Sequence, residues 1–343
     1  MSVITIVGAG MMGAAMAFPA RGNGHEVRLV GTHLDREIIQ EAKETGYHKT
    51  LKHQLPEGVK CYQIEELAPA LEKADLLLGG VSSFGVDWFA DHILTVIPQT
   101  LPVLNITKGL VHQGGGQLLS YPEYYAQKLG HKKLSLNAVG GPCISFELAS
   151  HDPTDICFCG EDIALLRNMK KLFKTSYYHI SLSTDVRGVE FAVALKNAYA
   201  LGVTLAIGLS KKRDGQEHYN SQAALFGQSV KEMSKILALY GCGSQNLSLA
   251  AGDLYVTVFG GRTRKIGTLL GMGYSFDDAV AQLEGVTLES IVIAQRTADA
   301  ISALAEQGKA KPEDLPLLRH IENIMQGAPA NPMPWDAFET EMQ

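Results

Sequence analysis

A lysine set among apolar residues is the first place where this sequence suggests chemistry. Lys196 and Asn197 sit in GVEFAVALKNAYALGV, a run built almost wholly of apolar and small residues. A lysine is costly to bury without a partner, and burial in a cleft lowers its pKa toward the range where a general acid or base works. The competing reading is an exposed stripe on a surface helix, but few polar neighbours share that face. Lys108, in NITKGL, ends an apolar run at the position where open α/β sheets place their ligands. Its plainer reading is a lysine stem snorkelling from a strand end. In AAGDLYVTVFGGRTRKIG, Asp253 and Thr257 lie four apart, which puts both on one face of a helix. Gly260-Gly261 is expected to end that helix and leave Arg262 in the following loop. Arg262, Arg264 and Lys265 could form a solvated face. Their apolar surroundings and the Gly-Gly break favour an anion site, because a guanidinium holds phosphate or carboxylate oxygens in pairs.

A second constellation opens the chain. Gly8-Ala9-Gly10-Met11-Met12-Gly13 follows the apolar run Val3 to Val7 and leads into a helix-like segment, the context in which G-x-G-x-x-G is informative. Gly8 allows a tight turn, Gly10 lets a pyrophosphate approach the backbone, and Gly13 lets helix and strand pack closely. The helix start, at Met11 and Met12, then offers N–H groups and partial positive charge to phosphates. The second strand ends HEVRLVGTHLD, with Gly31 or Thr32 where an acid would bind the ribose 2′-hydroxyl. Asp35 lies too far along for that role, whereas Thr32 and His33 suit a hydroxyl or a 2′-phosphate. The expected cofactor is therefore NAD or NADP, both in use.

These residues need a scaffold, and the apolar runs supply one. Val3 to Val7, Glu26 to Val30, Asp75 to Val81, Pro102 to Thr107 and Leu134 to Val139 alternate with helix-length segments, the pattern of a parallel sheet covered on both faces. Further strands are expected at Asp155 to Cys159 and Tyr178 to Leu182. After Asp185 helical periodicity takes over, as at Val189, Val193, Asn197 and Ala200 and again at Ala298, Ile301 and Ala305. The expected fold is α/β, with an N-terminal Rossmann-type domain over residues 1–187 and a mainly α-helical domain over 188–343. Lys211 to Asn220 reads as a solvated loop and the segment from Gly327 as irregular.

Composition narrows the classes. The chain has 343 residues, 46% hydrophobic and 19% charged, enough for two cores and too apolar for disorder. A net charge of −6 gives no hint of nucleic-acid binding. No run approaches the ~20 apolar residues of a membrane helix. The N-terminus shows no signal-cleavage pattern. Five cysteines, an odd number, fit a reducing cytoplasm, and the C-x-C of Cys157 and Cys159 lacks the further ligands of a metal site.

In order, GAGMMG, NITKGL, GGPCISFELA, GVEFAVALKNAYA, GDLYVTVFGGRTRKIG and LEGVT resemble the soluble NAD(P)-dependent glycerol-3-phosphate dehydrogenase family over about Val3 to Glu306. The resemblance implies a 6-phosphogluconate-dehydrogenase-like C-terminal domain, a homodimer, and hydride transfer between a nicotinamide and dihydroxyacetone phosphate or sn-glycerol 3-phosphate. It implies Lys196 as proton donor to the carbonyl oxygen, supported by Lys108 and Asp253. Substrate phosphate would be held by Asn197, Thr257 and Arg262, with Lys108 also touching substrate, and Glu284 would lie near the cofactor. The chain departs from the family pattern at Gly140-Gly141-Pro142, where Ser-Gly-Pro is usual, and at Thr32, where Arg is usual. Rival readings are a paralogue acting on another keto phosphate or a 2-keto acid, and a non-catalytic dinucleotide sensor. Retention of Lys108, Lys196 and Asp253 speaks against the sensor.

Overall fold

The computed structural model describes residues 1–130, 132–285 and 288–341. The chain divides into two compact units, one formed by Met1–Lys108 and Ser120–Glu190, the other by Gly109–Leu119 and the chain from Phe191 onward.

The first unit is built on strands β1 (Val3–Val7), β2 (Glu26–Val30), β5 (Lys60–Tyr62), β6 (Leu76–Gly79), β7 (Val103–Asn105), β10 (Leu136–Gly140), β11 (Thr154–Cys159) and β12 (Tyr178–Ser183). They form one eight-stranded sheet in the order β12-β11-β10-β7-β6-β1-β2-β5. A small hairpin, β3 (Tyr47–His48) with β4 (His53–Gln54), precedes β5. The expected parallel arrangement holds from β5 to β10. It breaks at β11, which runs antiparallel to β10 and parallel to β12, so the sheet is mixed at one edge. Ile4, Ile6, Val27, Leu29, Leu76, Leu78 and Leu104 are all essentially inaccessible, as expected for strands covered on both faces.

β1 pairs on one side with β2 and on the other with β6, in a register that aligns Val7 with Val30 and with Gly79. The residues that follow, Gly8, Gly31 and Gly80, therefore emerge at the same carboxyl edge. Here the winding of the sheet reverses, and open α/β sheets bind ligands at such a point. The backbones meet without room for side chains: a Cβ on Gly8, whose φ is +109°, would stand 2.5 Å from the Gly80 carbonyl carbon, and one on Gly13 would stand 2.1 Å from the Gly8 oxygen.

β8 (Leu110–His112) and β9 (Leu118–Ser120) form a two-stranded ribbon, and the other regular elements among the described residues of the second unit are helices. Helix Val186–Asp214 is 29 residues long and apolar enough to cross a membrane by length and composition, contrary to the expectation from sequence. Its most apolar window is 89% buried inside the protein, which is the packing of a core helix. Helix Gly261–Met272 lies against it at backbone contact: a Cβ on Gly208 would meet the Thr268 oxygen at 2.1 Å, and one on Gly271 the Leu205 oxygen at 2.2 Å. Buried Glu232 accepts from Tyr199 Oη at 3.0 Å, from Gln228 Nε2 at 2.8 Å and from the Leu317 and Leu318 amides at 2.7 and 3.0 Å. The carboxylate thereby satisfies the first turn of helix Pro316–Met325.

Two local expectations are corrected. Lys211 to Asn220 is only in part a loop, since the long helix runs through Asp214 and the next begins at Tyr219. Glu217 within it binds Arg264 at 2.8 Å through both oxygens and Lys211 at 2.9 Å, so the turn is anchored. Arg262 does not follow the helix in a loop. Helix Leu247–Val258 ends before Phe259, Gly260 caps a new helix, and Arg262 is its second residue. From Gly327 to Glu341 the described chain is irregular apart from a single turn at Trp335–Phe338, as expected.

Candidate active site

In the second unit, the long helix carries Lys196 and helix Leu247–Val258 carries Asp253 and Thr257 at four-residue spacing. Lys196 Nζ lies 3.0 Å from Asp253 Oδ1 and donates to Thr257 Oγ1 at 2.7 Å. The threonine hydroxyl donates its own hydrogen bond to the Asp253 backbone carbonyl at 2.7 Å, so its oxygen faces the ammonium as an acceptor. The aspartate side chain is 3% exposed and the lysine 12%. The ammonium is thus held by two oxygens from one turn of a helix, buried yet still touching solvent. Asn197, 6% exposed, is the next residue on the same helix.

The basic cluster sorts into two kinds. Arg264 is tied into the fold by Glu217 and by the Val258 carbonyl at 3.0 Å. Arg262 is exposed and its side chain makes no hydrogen bond or ion pair with another described residue, which leaves its guanidinium available to an outside anion. Glu284 is exposed in the turn that follows helix Phe276–Ala281; the Val286 and Thr287 of its LEGVT motif lie outside the described residues.

In the first unit, Lys108 follows β7, and its Nζ donates to the Gly141 carbonyl at 2.6 Å. The acceptor is thus Gly141, at φ +111°, which matches the glycine of the family pattern, and not Gly140, where the chain departs from it. Glu190, at the end of this unit, is 1% exposed, and neither carboxylate oxygen has a hydrogen-bond partner among the described residues. Burial pushes its carboxyl up to about 8, opposed by the charge of Lys108. Nothing in the sequence singled out Glu190, because one acid in an apolar helix does not reveal which way it faces.

The glycine loop fits a dinucleotide. A Cβ on Gly10 would meet nothing within 4 Å, so the backbone there stands open to an approaching group, while Gly8 and Gly13 are closed by backbone. Helix Met11–Ala15 begins directly after Gly10, and the first N–H groups of a helix have no intrahelical acceptors. Met11 is exposed. Thr32 is buried and its hydroxyl donates to Asp35 Oδ2 at 2.8 Å, while exposed His33 lies 5.7 Å from the Trp88 ring. Asp35, set aside on sequence distance, is brought back to the loop: its Oδ2 also accepts from Thr32 N at 2.8 Å and Ala9 N at 3.3 Å. None of the five cysteines forms a disulfide, and the described residues contain no group of metal ligands.

A Rossmann-type sheet with a dinucleotide loop, joined in one chain to a helical unit bearing a buried Lys-Asp-Thr cluster, defines a two-domain NAD(P)-dependent oxidoreductase. Residues 3–165 match the sequence profile described as "NAD-dependent glycerol-3-phosphate dehydrogenase N-terminus", and residues 185–332 match that of its C-terminus. The chain is 31% identical to the NADP(+)-dependent glycerol-3-phosphate dehydrogenase of Archaeoglobus fulgidus over 94% of this chain and 95% of that one. It is 28% identical to the glycerol-3-phosphate dehydrogenase [NAD(P)+] of Acidobacterium capsulatum over 95% and 94%. The crystal structure of glycerol-3-phosphate dehydrogenase from Coxiella burnetii superposes with a TM-score of 0.79 at 24% identity, covering 98% of this chain and 97% of that one. The chain belongs to the NAD-dependent glycerol-3-phosphate dehydrogenase family.

Proposed function

We propose that the protein interconverts dihydroxyacetone phosphate and sn-glycerol 3-phosphate with NAD or NADP, the glycine loop holding the cofactor and the helical unit the substrate. The observation that carries this reading is the Lys196 ammonium fixed between Asp253 Oδ1 and Thr257 Oγ1. When bound at the glycine loop, NAD or NADP would supply hydride-transfer chemistry for the substrate's C2. Lys196 gives a proton to the ketone oxygen during reduction and takes it back during oxidation, with Asp253 orienting the ammonium. Lys108 takes, in this proposal, the supporting role at the substrate that the family resemblance implies. Arg262, with Asn197 and Thr257, holds the phosphate; a guanidinium binds two of its oxygens at once. The cofactor set comprises Gly8, Gly10, Met11, Met12, Gly13, Thr32, His33 and Glu284.

A homodimer in the cytoplasm is part of the same proposal; the absence of disulfides supports a reducing compartment, and light scattering reads the assembly. The deciding experiment follows absorbance of NADH and of NADPH on adding dihydroxyacetone phosphate. Rapid loss of absorbance is expected. No oxidation with this substrate, but turnover of a 2-keto acid, would replace the reading with that of a paralogue.

A further inference from the structure

Ala9, the first variable residue of the glycine loop, is completely buried, and its peptide groups are gripped from two sides. Its N–H is taken by Asp35 Oδ2 at 3.3 Å. Its carbonyl oxygen lies 2.9 Å from Nε2 of His48, on the β3–β4 hairpin. The other ring nitrogen of His48 lies 3.1 Å from the Leu51 amide. An amide N–H only donates, so Nδ1 is the acceptor and the ring proton resides on Nε2, which donates to Ala9. His48 is completely inaccessible. Burial holds its pKa below the ordinary value, against the hydrogen bond to Ala9 and the charges of Asp35 and Glu41, in the direction that this neutral tautomer requires. The preceding residue is fixed as well, Gly8 N donating to Val30 O at 2.9 Å.

We infer that Asp35 and His48 are positioning residues of the cofactor site, acting through the Ala9 backbone to hold the phosphate loop in its binding conformation before the cofactor arrives. The inference rests on the reading of that loop as the dinucleotide site. A loop set in advance binds its ligand without the entropy cost of ordering it. The geometry also assigns Asp35 a role distinct from guarding the ribose. Oδ2 is engaged by three donors of this chain, Thr32 N, Thr32 Oγ1 and Ala9 N, so the carboxylate is turned onto the loop. Weakening the grip should therefore affect NAD and NADP alike.

Two substitutions separate positioning from mere support. In His48→Gln the side-chain amide can place an N–H where Nε2 stands and keep the bond to Ala9, while the acceptor for Leu51 is lost. In His48→Asn the amide oxygen can stand where Nδ1 stands and keep the Leu51 bond, while the donor to Ala9 is lost. Dissociation constants for NADH and NADPH, read by the quenching of Trp fluorescence, and steady-state kinetics are measured for both variants and for Asp35→Asn. His48→Asn is expected to weaken both cofactors about three- to tenfold, the range one buried neutral hydrogen bond carries, with kcat within about threefold of wild type. His48→Gln is expected to bind both like wild type. Equal losses in His48→Gln and His48→Asn, or kcat falling with affinity, would overturn the assignment in favour of a structural role. Loss of NADH binding alone in Asp35→Asn would make Asp35 a ribose ligand instead. Wild-type protein that binds neither nucleotide would sink the dinucleotide reading itself, an outcome distinct from the other two.

Discussion

Lys196 Nζ stands 3.0 Å from Asp253 Oδ1 in an ion pair whose carboxylate side chain is 3% exposed. A buried pair of this kind is a poor way to gain stability, because desolvation offsets much of the attraction, and removing one partner leaves a charge stranded. The proton donation proposed for the ammonium would account for its presence among apolar helices. Lys196→Ala is expected to lower kcat by roughly 10² to 10⁴, the range for a lost general acid, while cofactor binding stays nearly intact. Turnover within about a factor of three of wild type would remove Lys196 from the mechanism. Asp253→Asn should fall between the two, since the amide oxygen still accepts from Nζ but carries no charge.

Arg262 should account for most of the phosphate recognition. Arg264 is committed to Glu217, whereas Arg262 is exposed on the first turn of its helix. A charge-assisted hydrogen bond contributes about 1.5 to 3 kcal/mol, so losing one or two in Arg262→Ala should lower kcat/KM for dihydroxyacetone phosphate on the order of 10- to 10⁴-fold. Unphosphorylated dihydroxyacetone offers Arg262 nothing to hold, and its poor turnover should barely change. Equal losses with both substrates would place Arg262 in the fold or the cofactor site.

Both nicotinamide cofactors should be used, with less than about a hundredfold preference. An acid facing the ribose would repel a 2′-phosphate, but Asp35, the acid that follows the second strand, is bonded to Thr32 and Ala9. Parallel kinetics with NADH and NADPH read the ratio, and a thousandfold preference would reveal a discriminating residue elsewhere.

Glu190 makes stability depend on pH. Burial raises its carboxyl from 4.5 to about 8, so the folded state holds a proton that the unfolded chain releases from about pH 4.5 upward. Its contribution is fully present below that pH, declines as pH rises toward 8, and levels off above. The span is on the order of a few kcal/mol. Glu190→Gln should melt like wild type near pH 4.5 and several degrees higher near pH 8. A difference between the two curves that is constant across this range would show that Glu190 does not titrate there.

How much of this was legible in the sequence differs from element to element, for physical reasons. Val3–Val7 forms a strand over the range its apolar run predicts, because a strand covered on both faces must be apolar at nearly every position, and Glu26–Val30 does so with its two charged residues, Glu26 and Arg28, paired at 2.8 Å. The glycine loop was legible because only glycine tolerates the Gly8 dihedral and the backbone contact at Gly13. The pairing of Asp253 with Thr257 was legible because helical spacing is local. What sequence could not decide depends on where distant segments return. The antiparallel turn of β11 leaves no mark in an apolar run, since either direction buries the same residues. A Gly-Gly pair ends one helix but does not say how soon the next begins, so Arg262 read as a loop residue and is helical. The meeting of Lys196 with Asp253 joins residues 57 apart in the chain, numbers fixed by the sequence but a contact fixed only by packing. Asp35 and His48 converge on Ala9 from a helix cap and a hairpin, each unremarkable in its own stretch. The sequence by itself determined which groups were available and the local conformations that present them; tertiary structure alone decided which met, because a hydrogen bond needs its partners within about 3 Å and chain separation does not encode that distance.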